Sequence, residues 1–392
     1  MSKQNFLNTL KDIKDETVDA SQATPSFTES TKQSISTLAE RAKQNPERQR
    51  KFAETAQLVG GVISGRYPSY MLQEAMTTSD FPLLFGDVMD RLLLAGYRHA
   101  PATFEMYMRT GQVRDFRAVQ RHYVDGGDGV LDPVKEQAEY PTAKLDDGKY
   151  SYSVSKFGRR IPFSWETLIN DDLDAFADVP ERLGRGARRS EEKFATSLFV
   201  SANGPNAQFF ASKNNNVIEG NPKLSHEAIE KGFTQASKMK DPKTKEPILN
   251  RPKFLVVPPE LEIKAKSIVN ALEIRYTEGD QQRITNNWMR NDLQIVVNHY
   301  IPIVAKDANS SPWFLIADPN EGRGFAEFGR LRGHTDPAIF MKRPNAQPVG
   351  GGSSDPMQGD FDTDSIEYKV RHVFGGGLMS PLYAMSSDGS GS

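Results

Sequence analysis

The chain has 392 residues, 49 Lys+Arg against 51 Asp+Glu for a formal net charge of −2, and no cysteine. That length is enough for two or three core-bearing units, and the balanced charge excludes a strongly basic nucleic-acid binder or an acidic tail protein. Without cysteine there is no disulfide staple, thiolate zinc site or cysteine nucleophile, which fits folding in a reducing cytosol.

The first residues, MSKQNFLNTLKDIKDE, carry charges where a secretory signal needs an apolar core. Up to about residue 65 the chain is polar: Phe6, Leu7, Leu10 and Ile13 stand at helical spacing, a Ser/Thr-rich stretch runs from Ser21 to Thr37, and charges crowd Glu40 to Lys51. Such a segment buries little and reads as an extension that lies across something else. Gly60 to Arg66 has the glycine spacing of a phosphate-binding loop, but Arg66 replaces its lysine and no strand precedes it, so no nucleotide role is assigned. Phe81 to Tyr97 is the most apolar run. Asp87, Asp90 and Arg91 interrupt it and it falls short of the roughly 20 residues of a membrane span, so no membrane partner is expected. Instead Phe81, Leu84, Val88 and Leu92 predict a helix, with Thr77, Thr78 and Ser79 before it as cap residues. Val113 to Tyr123 reads as a strand. The connection from Asp125 to Gly148 is long and polar, whereas hairpin loops typically take about 2–5 residues, so it reads as a projecting arm of a hairpin.

Tyr150, Tyr152 and Val154 alternate with serines as a strand does, Phe157-Gly158 permits a bulge or kink, and Ile161, Phe163 and Trp165 resume the row. Asp178 and Glu181, three apart around Pro180, read as a capping box that opens a helix reaching about Val200, roughly 30 Å long. Val179, Leu183, Ala187, Phe194 and Leu198 form its apolar stripe. Gly184 and Gly186 each cost about 1 kcal/mol against alanine, which suggests curvature or a close neighbour. Residues 201 to about 345 read as a second mixed unit, with strands at Lys253–Val257, Leu293–Val297 and Trp313–Ala317, a helix over Ile229, Phe233 and Ala236, and another over Leu261 to Leu272. After a flexible crossing, AQPVGGGSSDPMQG, the alternation Ile366, Tyr368, Val370, His372, Phe374 predicts a returning strand. Its expected partners are the strands near 113–123 and 150–163, which makes the first domain discontinuous around an inserted second one.

Four passages, in this order, resemble tailed-bacteriophage major capsid proteins of the Hong Kong 97-like fold: Ser79-Asp80-Phe81-Pro82 to Asp90-Arg91; Asp115-Phe116-Arg117; Lys156-Phe157-Gly158 through Ile161-Pro162-Phe163-Ser164-Trp165-Glu166 to Asn170-Asp171-Asp172-Leu173; and Asp362-Thr363-Asp364 through Val370-Arg371-His372 to Gly375-Gly376-Gly377. The resemblance implies an α+β fold with an N-terminal arm (1–76), a peripheral domain (77–117, then 151–200 with a spine helix at 178–200), an extended β-hairpin loop (118–150), an inserted axial domain (201–345), and a return strand and tail (346–392). It implies a non-enzymatic major capsid protein that self-assembles into the pentamers and hexamers of an icosahedral head enclosing double-stranded DNA without sequence specificity. The location implied is the virion after assembly in the host cytoplasm, with scaffold, portal and decoration proteins as partners and no cofactor. An uncleaved N-terminus is the expectation. The near alternative is an encapsulin-type nanocompartment around a protein cargo, and the remote one is a soluble α/β enzyme. Some members join subunits through a lysine–asparagine isopeptide bond; Lys135, Lys144 and Lys149 lie in the corresponding loop, with solvated lysines as the plainer reading.

The residues themselves carry no catalytic signature. His99, His122, His226, His299, His334 and His372 show no metal-binding spacing, and Gly184-Arg185-Gly186 lies mid-helix, where it cannot cradle a phosphate. Asp360, Asp362 and Asp364 alternate like the start of a calcium loop, but Ser365 stands where glycine is required and Arg371 where the bidentate glutamate is required. Arg182, Arg185, Arg188 and Arg189 crowd the spine helix together with Glu181, Glu191 and Glu192. The plain reading is a solvated, salt-bridged face. The sharper one gives these arginines to packaged DNA or to acidic residues of a neighbouring subunit, the latter favoured because the net charge suits a phosphate binder poorly.

Overall fold

The structure, a computed structural model, describes residues 54–55, 57–58, 61, 66–67, 81–125, 134, 146–164, 173–241, 245–248, 250–278, 281–320, 322–342, 361–362 and 365–391. The expected arm (1–76) lies almost wholly outside them, as do Thr77 to Ser79, Lys135, Lys144, Asp360 and Asp364. In chain order the elements are α1 (Phe81–His99), α2 (Phe104–Tyr107), β1 (Arg109–Val113), β2 (Val119–Asp125), β3 (Asp146–Tyr152), β4 (Val154–Ser164), α3 (Leu173–Phe199), β5 (Val200–Ser201), β6 (Gly204–Pro205), α4 (His226–Ser237), β7 (Pro252–Val257), α5 (Glu262–Asn270), β8 (Glu273–Glu278), β9 (Gln281–Asn286), α6 (Met289–Asp292), β10 (Gln294–Val297), α7 (Ile301–Val304), β11 (Trp313–Ala317), β12 (Ala326–Leu331), β13 (Ala338–Met341), β14 (Ser365–Leu378) and β15 (Ala384–Ser387).

Two units divide the chain, one from Met1–His99, Gly158–Arg185 and Pro337–Arg371, the other from Ala100–Phe157, Gly186–Asp336 and His372–Ser392. In the first, Leu93 of α1, Leu183 of α3 and Val370 of β14 form a buried cluster joined by Ile161, Val179 and Ile339. The helices touch through glycine: a Cβ on Gly96 would collide with the backbone of Glu181, and one on Gly184 with the carbonyl oxygen of Leu93. Gly184 therefore has the close neighbour its sequence suggested, while Gly186 faces open space. In this unit β13 runs antiparallel to β14, Ala338 opposite Arg371 and Met341 opposite Tyr368, and Asp90 accepts the Ile339 N–H at 3.1 Å.

Among the described residues the second unit holds two larger sheets beside its two-stranded ribbons. One has the order β10-β7-β11-β15, with β10 parallel to β7 and β11 antiparallel to both its neighbours. On one side it is packed by Ile229, Ala265, Val269 and Leu293, and on the other by the aromatic cluster of Phe104, Tyr107, Phe199, Phe325 and Phe328. In the other, β12 lies between β1, parallel to it with Arg109 opposite Glu327, and the C-terminal half of β14, antiparallel with Ala326 opposite Leu378. β2 and β3 form a two-stranded ribbon in which Val119 faces Tyr152, Arg121 faces Tyr150 and Tyr123 faces Gly148.

Three expectations need correction. The strand expected over Val113–Tyr123 is two strands, because Asp115 turns its carboxylate onto the Arg117 N–H at 3.0 Å and this local bond breaks the ladder. The long helix begins at Leu173, so Asp178 and Glu181 lie within it rather than capping it, and Pro180 is a buried interior proline rather than a first-turn residue. The helix formers Leu173, Ala175 and Ala177 outweigh the start signal. The returning strand pairs with β4 as expected, but its other partners are β12 and β13, not the strands near 113–123.

The two spine glycines give a discriminating test. Gly184→Ala drives a methyl into helix backbone that cannot yield and costs about 1–3 kcal/mol, whereas Gly186→Ala meets nothing within 4 Å and gains about 1 kcal/mol of helix propensity. Urea denaturation of both variants checks this; equal midpoints contradict the packing.

Candidate assembly surface

On the C-terminal half of α3, two consecutive glutamates point into the protein. Glu191 has 0% of its surface exposed. Its Oε1 accepts Arg330 Nε at 3.0 Å and lies 2.8 Å from His372 Nε2, while Oε2 accepts Arg188 Nη1 at 2.8 Å and Arg330 Nη2 at 3.2 Å. Glu105 closes the group, its Oε1 taking Arg188 Nη1 at 3.0 Å and Arg330 Nη2 at 2.6 Å. Burial alone pushes the Glu191 carboxyl up, but the bonds from His372 and Arg330 win and hold it at about 2. Glu192 shifts the other way: burial raises it, and the bonds from Thr103 only partly offset this. Its carboxylate accepts the Thr103 N–H at 3.0 Å and the Thr103 hydroxyl, satisfying amides at the start of α2 that no local side chain caps. Asn298 ties the same region together, donating to Thr196 Oγ1 at 2.8 Å and Tyr107 OH at 3.0 Å.

The root of the β2–β3 ribbon is fastened in the same way. Glu327 of β12, 5% exposed, accepts Arg121 Nη2 at 2.6 Å and Nε at 3.0 Å, and Tyr152 OH at 2.6 Å. Gly111 on β1 makes room for that carboxylate, since a Cβ there would strike it. Two residues further out, Tyr123 and Tyr150 stack with centroids 4.6 Å apart, and the Arg323 guanidinium lies 4.3 Å over Tyr123. Burial and the neighbouring Tyr123 push the Tyr150 phenol up to about 12. On the opposite face Gln120, His122, Lys149 and Ser151 are exposed.

The sequence-derived candidates therefore separate. Arg188 turns inward to Glu105 and Glu191, and Glu191 and Glu192 are buried, so this part of α3 is not the solvated face expected. The helical turn puts them on the side of Ala187 and Ala195. Arg182 and Arg189 are exposed, and Arg185 is half-buried, 3.9 Å from Glu181. Lys193, which the sequence reading passed over, continues the exposed row: 182, 185, 189 and 193 stand three and four apart on one helix face. Lys149 is exposed opposite His122. Spacing could have flagged Lys193; nothing local could have paired Glu191 with Arg330 and His372, 139 and 181 residues away. Among the described residues there is no cluster of three metal-binding side chains and no helix long and apolar enough to cross a membrane.

Because the folded Glu191 carboxyl sits at about 2 against an ordinary 4.5, its stabilising contribution is complete above pH 4.5 and is lost as pH falls through 2, on the order of 3 kcal/mol. Glu191→Gln should remove that part of the acid sensitivity and cost about 1–3 kcal/mol at pH 7, because Arg188 and Arg330 lose one of the two carboxylates they share and keep Glu105. Urea titrations of both chains across pH 7 to 2 check it, and parallel stability curves contradict it.

A family model described as phage capsid protein matches residues 149–384. Among solved structures, one of Mycobacterium phage Adephagia is 11% identical with a TM-score of 0.45, covering 72% of this chain and 84% of that one. The capsid structure of cyanophage P-SCSP1u is 9% identical with a TM-score of 0.46, covering 73% and 88%. A holo-SrpI encapsulin complex from Synechococcus elongatus PCC 7942 is 9% identical with a TM-score of 0.43, covering 71% and 84%. No curated protein matches. With more than half of its length matched, the chain belongs to the phage capsid protein family, as a protein of mixed α+β fold that forms the shell of the virion and has a structural role.

Proposed function

We propose that this subunit self-assembles in the host cytoplasm into the pentamers and hexamers of an icosahedral head around double-stranded DNA, with scaffold, portal and decoration proteins as further partners. The observation that carries the proposal is the ribbon root. β2 and β3 are clamped to the body on one face, and the sequence joins them through residues 126–145, too long a connection to serve as a turn. The stretch 125–148 carries Asp125, Asp128, Asp132, Glu136, Glu139, Asp146 and Asp147 against Lys135 and Lys144. It is thus acidic where Arg182, Arg185, Arg189 and Lys193 are basic. Opposite charges on two parts of one chain suit contact between copies, the segment of one lying against α3 of the next. They also explain a net charge near zero in a chain with charged surfaces. DNA is the competing occupant of the basic row, as a diffuse counter-charge. Interfaces repeated around each subunit multiply modest affinities, and each is expected to exceed a standard buried area of about 1,600 Å². On this reading the exposed Lys149 and the loop lysines 135 and 144 belong to the contact region.

Electron microscopy of the purified protein, with and without nuclease, tests the proposal. Closed shells that hold nuclease-resistant DNA in infected cells support it; shells filled with a single protein species point to a nanocompartment instead, and a permanent monomer rejects both. Arg189→Glu with Lys193→Glu is expected to lower shell yield at least tenfold, with a deficit that widens at low salt, where charge repulsion is least screened. A normal shell yield with reduced DNA content would assign the row to DNA.

A further inference from the structure

We infer that Glu327, through Arg121 and Tyr152, is a positioning residue that fixes the twist and heading of the β2–β3 ribbon, and so sets assembly competence; this rests on the reading that the connection between the two strands reaches a second copy. One buried carboxylate grips both strands of the ribbon, Arg121 on β2 through a three-bond fork and Tyr152 on β3 through its hydroxyl. A grip on one strand would leave the ribbon free to roll about it; a grip on both fixes twist and heading together. The strand that carries Glu327 is itself held on both edges, by β1 and β14, so the anchor does not move. Neighbouring backbone is cut back to admit the ribbon: a Cβ on Gly329 would press on the Tyr152 ring, one on Gly375 would strike the Ser153 carbonyl, and one on Gly377 would press on the Tyr152 Cβ. Further out, the Tyr123–Tyr150 stack beneath Arg323 forms a second clamp on the same face, and Gly148 leaves the space that the Tyr123 ring fills. The far face is exposed and polar at Gln120, His122, Lys149 and Ser151, so the heading is determined from one side.

Three variants separate this role from simple stability. Glu327→Gln keeps the shape and removes the charge, Tyr152→Phe removes one hydroxyl, and Gly148→Ala disturbs the second clamp alone. In each full-length subunit, hydrogen exchange is read at the amides of β2 and β3 and, as an internal control, at those of β7 and β11; shell yield and diameter are then measured by sedimentation and microscopy. The inference expects control amides within a factor of two of wild type, ribbon amides exchanging at least tenfold faster in Glu327→Gln, and a matching loss of correctly sized shells, with Tyr152→Phe and Gly148→Ala in between. Wild-type ribbon exchange in all three variants, or faster exchange with shells of normal yield and diameter, overturns it. If Glu327→Gln fails to fold, Tyr152→Phe decides alone by the same criteria. If the wild-type chain itself forms no shells, the assembly reading fails while the ribbon exchange still tests the grip.

Discussion

The rest of the second unit depends on two buried carboxylates, Glu191 and Glu327, and on the single strand β12 that connects their networks. Residues three apart on a strand point to opposite faces, so Arg330 meets Glu191 on one side while Glu327 meets Arg121 and Tyr152 on the other. The neighbours agree with that division. Phe328 packs into the aromatic core with Phe104 and Phe374, whereas Gly329 and Leu331 lie under Tyr152. A carboxylate taken out of water needs donors around it, and each of these two draws its donors from segments far apart in the chain. Their geometry therefore exists only once α3, β12, β14 and the ribbon have come together.

Apolar burial supplies the bulk of the driving force, and its pattern was the legible part. β7, β10 and β11 were readable as short apolar runs because their side chains are covered by helices or by the aromatic core, and the stripe Leu183, Ala187, Leu198 set the inward side of α3. The sequence leaves curvature or a close neighbour open at both spine glycines, and the neighbour is found at Gly184 and not at Gly186. The ribbon was legible from the alternation of Tyr150, Tyr152 and Val154 and from a strand reaching Tyr123, set around an overlong connection.

What was not legible has physical causes of its own. The segment Ala326–Leu331 is buried at nearly every position, so it lacks the alternation that announces a strand, and Glu and Arg within it look like surface residues until their partners are known. The break at Asp115 turns on one side-chain bond that competes with the ladder. The start of α3 was misplaced because Asp178, Pro180 and Glu181 form a convincing cap pattern, and a capping pattern is a local preference of about 1 kcal/mol that tertiary packing readily overrides.

The choice of ions rather than hydrocarbon at the ribbon root bears on what the fold is for. An apolar trio of similar volume could match the stability of Arg121, Tyr152 and Glu327, since desolvating the Glu327 carboxylate offsets much of its attraction to the half-buried Arg121. Apolar contacts, however, tolerate sliding and rotation at little cost, while a guanidinium fork and a hydroxyl on one carboxylate admit a single register and a narrow range of angles. An angular error at the root grows with distance from it: a tilt of about 10° displaces a point tens of ångströms away by several ångströms. In the proposed shell, contacts between copies must fall within a narrow range of angles. Directional bonds at the root and loosely specified chemistry beyond it meet that requirement together.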